Sequence, residues 1–210
     1  ALQLQINPHF LFNTLQTLDF KAMEYTHKPT AVNQMIEALS DILKYSLQNP
    51  HSMVTLKDEI DYLKKYDSIQ RYRYEDKYIL YYEYEKELES IPIMRLILQP
   101  LIENAVIHGT SKISGKGIIA ILGSTDGVDL QICVKDNGPG FSQEFMENFF
   151  KDSQQKPSTA YGIYNIDKRL KLYYGEDHGL IIQNNENNGA CVMIRLPLRL
   201  VEKTIEKAGN

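Results

Sequence analysis

The stretch that decides the fold is Gln99-Pro100-Leu101-Ile102-Glu103-Asn104-Ala105-Val106-Ile107-His108-Gly109. Its apolar residues recur at helical spacing and predict a helix over 93–108. Asn104 and His108 are four residues apart, so an amide oxygen and an imidazole project from one face of that helix. Mg²⁺ prefers hard oxygen ligands and keeps several waters, which the Asn104 oxygen and nucleotide phosphates could satisfy. Glu103 is a candidate base or supporting partner, although Asn104 taken alone more simply caps or bridges helices.

A second informative stretch, Asp136-Asn137-Gly138-Pro139-Gly140-Phe141, follows the strand predicted over 130–135. A carboxylate fixed at a strand end, such as Asp136, can accept a hydrogen bond from the exocyclic amine of adenine. Gly138 and Gly140 allow the backbone to lie close to the base. Asp-Asn-Gly is also common in ordinary turns, so this stretch alone does not identify a nucleotide site.

A third stretch, Tyr161-Gly162-Ile163-Tyr164-Asn165, opens a helix predicted over 162–174. Backbone N–H groups at a helix N-terminus bind phosphate, which makes Gly162 and Asn165 candidate nucleotide contacts. A helix that simply starts with one glycine explains the same residues. The polar segment 151–159 before it is predicted to be a mobile loop that closes over the site.

The N-terminal stretch Gln5-Ile6-Asn7-Pro8-His9-Phe10-Leu11-Phe12-Asn13 contains a candidate nucleophile. Pro8 lies within a helical pattern and is expected to bend the helix beside His9. The His9 imidazole is largely neutral at pH 7 and can attack phosphorus without a strong base. Asn13 lies one turn later on the same face, where it could orient the ring or a water. A partly buried helical histidine is the simpler alternative.

Residues 1–75 are predicted to be helical and the rest to be an α/β unit. Capping residues indicate helix starts at Thr30 and at Thr55, where Asp58 completes a capping-box pattern. Leucines at bundle-like spacing line the first helix, namely Leu4, Leu11, Leu15 and Leu18. Period-two patterns and turn residues predict strands at 78–84, 117–123, 128–135, 179–184 and 190–197, with a short helix at 142–150. Hairpins without crossover helices favour a mostly antiparallel sheet with its helices on one face, an α+β fold.

Composition excludes some classes of protein. The net charge of −4 disfavours a nucleic-acid-binding surface. Cys133 and Cys191 each lie in an apolar strand pattern and are expected to pack as free thiols in a reducing compartment. No apolar run is long enough to predict a membrane-spanning helix. The opening at Ala1, already helical in composition, leads us to expect a fragment of a longer protein.

The order of these motifs matters more than any one of them. With its Asn-Pro-His-Phe-Leu-Phe-Asn and Gln-Pro-Leu-Ile-Glu-Asn-Ala-Val-x-His-Gly stretches, the chain resembles the LytS-type sensor histidine kinases. That group belongs to the ATPase superfamily that includes gyrase, Hsp90 and MutL. The resemblance implies a Bergerat-type α/β sandwich with a mixed, mostly antiparallel sheet after a helical hairpin that forms a dimeric bundle. The expected division is a histidine phosphotransfer region at 1–75, an ATP-binding domain at 76–200 and a tail at 201–210.

The resemblance also implies roles for individual residues. His9 corresponds to the phosphoacceptor, Asn104 to the magnesium ligand and Asp136 to the residue that recognises adenine. The nucleotide-loop glycines correspond to Gly138, Gly140 and Gly162. ATP and Mg²⁺ are the implied cofactors. The implied partners are a second copy of the chain and a response regulator, with membrane attachment only through segments absent from this sequence.

Two positions depart from the pattern of that family. Ala160 stands where the family usually has glycine, and Gly189-Ala190 replaces a usual Gly-Thr. A β-carbon at Ala160 is expected to weaken nucleotide binding, so that Ala160→Gly would tighten it.

Two other functions remain open from the residues. One is a nucleotide-binding module without catalysis, and the other is an ATPase of the gyrase or Hsp90 kind. The ATPase alternative gives Pro8-His9 no role. Whether His9 would meet the ATP of its own chain or that of its partner is also open.

Overall fold

The computed structural model describes residues 7–49, 52–74, 77–149, 161–186 and 188–198. The helices are α1 (Pro8–Thr26), α2 (Ala31–Ser46), α3 (Leu56–Tyr74), α4 (Gln99–Asn104), α5 (Gln143–Phe149) and α6 (Tyr161–Tyr174). The strands are β1 (Met53–Thr55), β2 (Tyr78–Tyr84), β3 (Pro92–Met94), β4 (Gly117–Thr125), β5 (Asp129–Asp136), β6 (Gly179–Asn184) and β7 (Ala190–Pro197). Short 3₁₀ turns occupy Lys86–Ser90 and Thr110–Lys112.

Helix α1 begins at Pro8, which corrects the expected bend inside a longer helix. Asn7 is its N-cap in an extended conformation, and its Oδ1 accepts the His9 N–H at 3.0 Å. Proline suits the first helical position, because no intrahelical bond is required of its nitrogen there. Pro8 therefore marks a helix start directly before His9. Leu4 of the predicted leucine seam lies outside the described residues.

The two predicted capping sites are confirmed. At the start of α2, Asn33 Oδ1 accepts the Thr30 N–H at 2.9 Å, and its amide donates to Asp19 Oδ1 of α1 at 2.7 Å. At the start of α3, the Thr55 N–H donates to Asp58 Oδ2 at 3.0 Å and the Asp58 N–H donates back to the Thr55 hydroxyl at 3.1 Å. Such reciprocal bonds satisfy donors that a helix N-terminus leaves free.

Five strands form the main sheet in the order β2-β4-β5-β7-β6. Strand β2 pairs with β4 in parallel, and the other neighbouring pairs are antiparallel. One face of the sheet and the apolar faces of the helices share a single core. Its fully buried members include Leu63, Ile97, Ile119, Leu130, Leu170 and Ile194. The prediction of an α+β fold with a mixed, mostly antiparallel sheet is confirmed.

The prediction of a helix over 93–108 is wrong for about the first third of that range. Residues 92–94 form β3, which pairs with β1 so that Ile93 lies opposite Val54. A turn with Leu96 at φ 56° follows, and the helix proper begins at Gln99. After Asn104 the chain continues as a π-helical turn over Ala105–Gly109. Tertiary pairing with β1 has overridden the helical pattern of this apolar run.

The two cysteines are bonded to each other, so the prediction of free thiols is wrong. Cys133 on β5 and Cys191 on β7 have Cα atoms 6.5 Å apart, which is within the range for a disulfide. The two strands are neighbours in the sheet although more than 50 residues separate the cysteines in sequence. A pattern of local apolar runs carries no information about that adjacency.

None of the described helices has both the length and the apolar character that a membrane crossing needs.

Candidate active site

Asp136 lies at the end of β5, with 7% of its surface exposed. Its Oδ1 accepts the N–H groups of Gly138 at 2.8 Å and of Ala190 at 3.2 Å. Within the described residues no hydrogen bond reaches Oδ2. Burial raises the pKa of this carboxyl, and the two backbone donors oppose the rise. The carboxylate is fixed in place by one oxygen and keeps the other as an acceptor.

Three segments approach each other closely around Asp136 because each has a glycine at the point of contact. A β-carbon on Gly109 would lie 2.8 Å from Asp136 Cγ, and one on Gly138 would overlap the backbone of Gly109. Gly189, at φ 97°, packs against the Asp136 carbonyl, where a β-carbon would also overlap. The end of the π-turn, the loop after β5 and the turn before β7 form this cradle. We did not predict site roles for Gly109 and Gly189, although both are visible as glycines beside motif residues.

Asparagine side chains hold the loops of the cradle. Asn137 Oδ1 accepts the Ile118 N–H at 2.8 Å, and its amide donates to Lys116 O at 3.2 Å. Asn184 accepts the Phe141 N–H at 2.7 Å and donates to its carbonyl at 2.9 Å. Asn185 donates to Asp136 O at 3.1 Å. None of these asparagine contacts was predicted, because asparagines are common in turns and these partners are distant in sequence.

Gly140 lies between these supports at φ 78°, a conformation that favours glycine. A β-carbon there would also meet Asn184 Oδ1 at 2.7 Å. Gly140 is thus required by the backbone of the loop itself.

Helix α4 follows the turn at residues 95–98, called the entry turn below, and brings the first quoted stretch, residues 99–109, to the cradle. Asn104 is the last residue of α4 and is partly buried, and His108 lies in the π-turn that ends at Gly109. Burial and the nearby Lys112 lower the pKa of His108. Glu103 Oε1 accepts the Tyr66 hydroxyl at 2.8 Å and the Gln99 amide at 2.8 Å. Glu103 is therefore anchored to α3.

Gly162 and Asn165 lie in the first turns of α6, and both are exposed. A β-carbon on Gly162 would be 3.5 Å from Pro100 Cβ, which shows that α6 starts beside the start of α4. The predicted mobile loop at 151–159 and Ala160 lie outside the described residues. At the second departure, Ala190 still supplies its backbone N–H to Asp136.

His9 lies on α1 and is exposed. Its Nδ1 is 3.2 Å from Asn13 Nδ2, as expected for residues one turn apart. Among the described residues, no hydrogen bond joins His9 to Asn104 or to Asp136. The structure thus contains two separate groups of candidate residues, one on the hairpin and one at the sheet.

The comparison with protein families distinguishes these two parts. The family described as histidine kinase-, DNA gyrase B-, and HSP90-like ATPase matches residues 90–200, more than half of the chain. The chain belongs to this ATPase family. The histidine kinase family matches residues 1–78. The description of this family includes histidine kinases, and the resemblance to the sensor histidine kinases is confirmed.

Curated relatives of this ATPase family member are themselves sensor kinases. Sensor histidine kinase YesM of Bacillus subtilis (strain 168) is 32% identical over 95% of this chain and 33% of its own length. YpdA of Escherichia coli (strain K12) is 34% identical over 89% of this chain and 32% of its own length. The chain therefore spans about one third of these relatives.

Solved structures support the fold of this ATPase family member. The nucleotide-free catalytic domain of histidine kinase ThkA matches with a TM-score of 0.54 at 19% identity, over 70% of this chain and 97% of that one. ThkA in complex with response regulator protein TrrA matches with a TM-score of 0.50 at 16% identity, over 91% of this chain and 58% of that one.

Proposed function

We propose that this chain binds Mg-ATP in the glycine cradle and transfers the γ-phosphoryl group to His9. The phosphoryl group then passes to an aspartate of a response regulator. The observation that carries the proposal is the Asp136 carboxylate, which is held by Oδ1 in a glycine-lined cradle on the same chain as an exposed His9-Asn13 pair. The family assignment and the sensor-kinase relatives support it.

In the nucleotide half, Asp136 Oδ2 would accept a hydrogen bond from the adenine amine. Gly138 and Gly140 would lie against the base, while Gly162 and Asn165 at the start of α6 would face the phosphates. The amide oxygen of Asn104 suits Mg²⁺, which binds hard oxygen ligands and shares its shell with phosphates and water. The described residues contain no cluster of three His, Cys, Asp or Glu side chains that would hold a metal without phosphates. When bound, the ion would neutralise charge on the phosphates during transfer.

In the hairpin half, a ring nitrogen of His9 would attack the γ-phosphorus. The P–N bond forms as the bond from the γ-phosphorus to the bridging oxygen of ADP breaks, and the ring loses its proton to solvent. Asn13 Nδ2 lies 3.2 Å from Nδ1, where its N–H can donate to the ring, so Asn13 would orient the imidazole. Glu103, anchored by Tyr66 and Gln99, would support the Asn104 helix.

The proposal includes a homodimer formed by the hairpin. Large apolar side chains of α1 and α2 remain exposed in the single chain, including Phe10 at 66%, Leu18 at 52% and Val32 at 54%. A second hairpin would cover such a surface in a helical bundle.

We further propose that the chain divides at about residue 76 into a helical phosphotransfer region and an ATP-binding domain. We also propose that the chain belongs to the cytoplasmic part of a membrane-anchored receptor. The short span of the chain relative to the sensor-kinase relatives supports this location.

The test is incubation with γ-labelled ATP, followed by acid treatment. We expect label that is lost in acid, because a phosphoramidate hydrolyses there, and we expect His9→Gln to abolish it while ATP binding stays nearly intact. His27→Gln is the matched control, since His27 is the exposed histidine at the other end of α1. Acid-labile label that persists in His9→Gln would reject His9. Binding without label would indicate a noncatalytic module, and phosphate release without label would indicate a simple ATPase.

A further inference from the structure

Outside the nucleotide cradle, α3 carries a carboxylate that is completely buried. Glu59 Oε2 accepts the Tyr45 hydroxyl at 2.7 Å and the Leu96 N–H at 3.0 Å. Its Oε1 accepts the N–H groups of Ile97 at 2.9 Å and Leu98 at 3.1 Å. Burial raises the pKa of Glu59, and these four donors oppose the rise. An ionised carboxylate offers about four acceptor positions, so all of them are used.

Three of the four donors belong to the turn that leads into α4. The first N–H groups of a helix have no intrahelical partner, and a negative charge there is favourable. Leu96 in this turn has φ 56°, which side chains other than glycine rarely adopt. Glu59 therefore fixes both the strained turn and the N-terminus of the helix that carries Asn104.

The fourth donor comes from the helical hairpin. Tyr45 lies in the last turn of α2 and stacks on Tyr62 of α3 at 4.4 Å between ring centroids. The guanidinium of Arg95, from the same entry turn, lies 4.2 Å above the Tyr45 ring and donates to Tyr45 O at 2.7 Å. The turn thus contacts α2 directly through one hydrogen bond and one cation–π contact, and indirectly through Glu59 of α3.

The same turn also contacts α6. Arg169 Nη2 donates to Arg95 O at 2.9 Å. The two helices proposed to hold nucleotide, α4 and α6, therefore both connect to residues 95–98, and those residues connect to α2 through Glu59 and Tyr45.

We propose that Glu59 is a positioning residue that couples the helical hairpin to the nucleotide helix. This inference rests on the proposed function. A shift of α2 that strains the Tyr45–Glu59 bond moves the entry turn and with it Asn104. Coupling of this kind is reciprocal, so nucleotide bound at α4 must also affect the end of α2.

Two variants separate the parts of this connection. Tyr45→Phe keeps the Glu59 cap on α4 and removes only the Tyr45–Glu59 bond, while the contacts of Arg95 with the ring and with the backbone oxygen of residue 45 remain. Glu59→Gln keeps the side-chain size, but its amide group places a donor against backbone donors. Tyr72→Phe is the matched control, because Tyr72 is 51% exposed on α3. Each protein is titrated with a non-hydrolysable ATP analogue by calorimetry, and hydrogen exchange is followed at the last turn of α2.

In the unsubstituted chain and in Tyr72→Phe, we expect the analogue to slow exchange at the end of α2. Tyr45→Phe should lose this protection while its affinity stays within about twofold, and Glu59→Gln should weaken binding about tenfold. If Tyr45 had only a structural role, Tyr45→Phe would speed hydrogen exchange at the last turn of α2, but the nucleotide analogue would still slow that exchange.

Two results overturn the inference alone: nucleotide that binds without protecting α2 in the unsubstituted chain, or protection that persists in Tyr45→Phe. Absence of nucleotide binding in the unsubstituted chain overturns the proposed function and the inference with it.

Discussion

In the proposed function, recognition of the nucleotide depends on Asp136. Its burial disfavours the charged form, and the two N–H groups on Oδ1 favour it. Burying a carboxylate with hydrogen bonds to only one of its oxygens costs free energy, unless the other oxygen also accepts a hydrogen bond. The exocyclic amine of adenine supplies such a donor, while guanine presents a carbonyl oxygen at that position.

We expect Asp136→Asn to weaken adenine nucleotides by about 1.5–3 kcal/mol, since a charge-assisted hydrogen bond is lost and the amide can present the wrong partner. Calorimetry with ATP measures the change. Asp177→Asn is a suitable control because Asp177 is exposed in the turn before β6. Unchanged affinity in Asp136→Asn would show that Asp136 does not recognise the base.

Local sequence predicted those residues whose role depends on their immediate neighbours. Gly140 and the Thr55–Asp58 capping box are examples, because a turn or a helix start is a property of adjacent residues. Cys133 and Cys191 were predicted wrongly, because their pairing depends on which strands become neighbours. The burial of Glu59 under the turn at 96–98 was invisible for the same reason.

At the scale of elements, the short α4 and the π-turn after it determine where the cradle closes. The π-turn ends at Gly109, which packs against Gly138 and Asp136. Wider helical turns of this type are rare and often occur at functional sites. The apolar pattern predicted that a helix is present here, but the pairing of β3 with β1 decided where it begins.

Helix α6 is attached to β6 by one buried carboxylate. Asp167 Oδ1 accepts the Leu180 N–H at 2.9 Å, and Oδ2 forms an ion pair with Lys171 at 2.7 Å. Asp167→Ala should lower the free energy of unfolding by about 1–3 kcal/mol, because the buried Leu180 N–H loses its acceptor. Denaturant unfolding measures this loss, with the exposed Asp177→Ala as control. A loss below that of the control would mean that water replaces the carboxylate.

At the scale of the whole molecule, the hairpin of α1 and α2 is poorly covered compared with the sheet. Leu15 is the buried apolar side chain of α1, whereas Phe10 and Phe20 are more than 60% exposed. The sheet packs on a continuous core to which α3 also contributes, through Leu56, Ile60 and Leu63. The five strands of the main sheet and their mostly antiparallel pairing followed from sequence patterns, but β3 and the strand order did not.

A chain of residues 52–210, which keeps α3 and its part of the core, should therefore be monomeric, while residues 1–210 should form a dimer, because the exposed apolar surface lies on the hairpin. Light scattering over a range of protein concentrations measures both. If the complete chain stays monomeric at high micromolar concentration, the hairpin does not dimerise in this fragment. If the shorter chain dimerises, the interface lies elsewhere.

The parallel pairing of β2 with β4 has a consequence for the order in which the chain folds. Strands β4 and β5 are joined by a tight turn and can pair early in folding. Strand β2 can pair with β4 only after the long loop of residues 85–116 has brought the two strands together. During synthesis, a ribosome releases β2 well before its partner exists. A nascent chain stalled before β4 would therefore expose Tyr78, Leu80 and Tyr82 to chaperones.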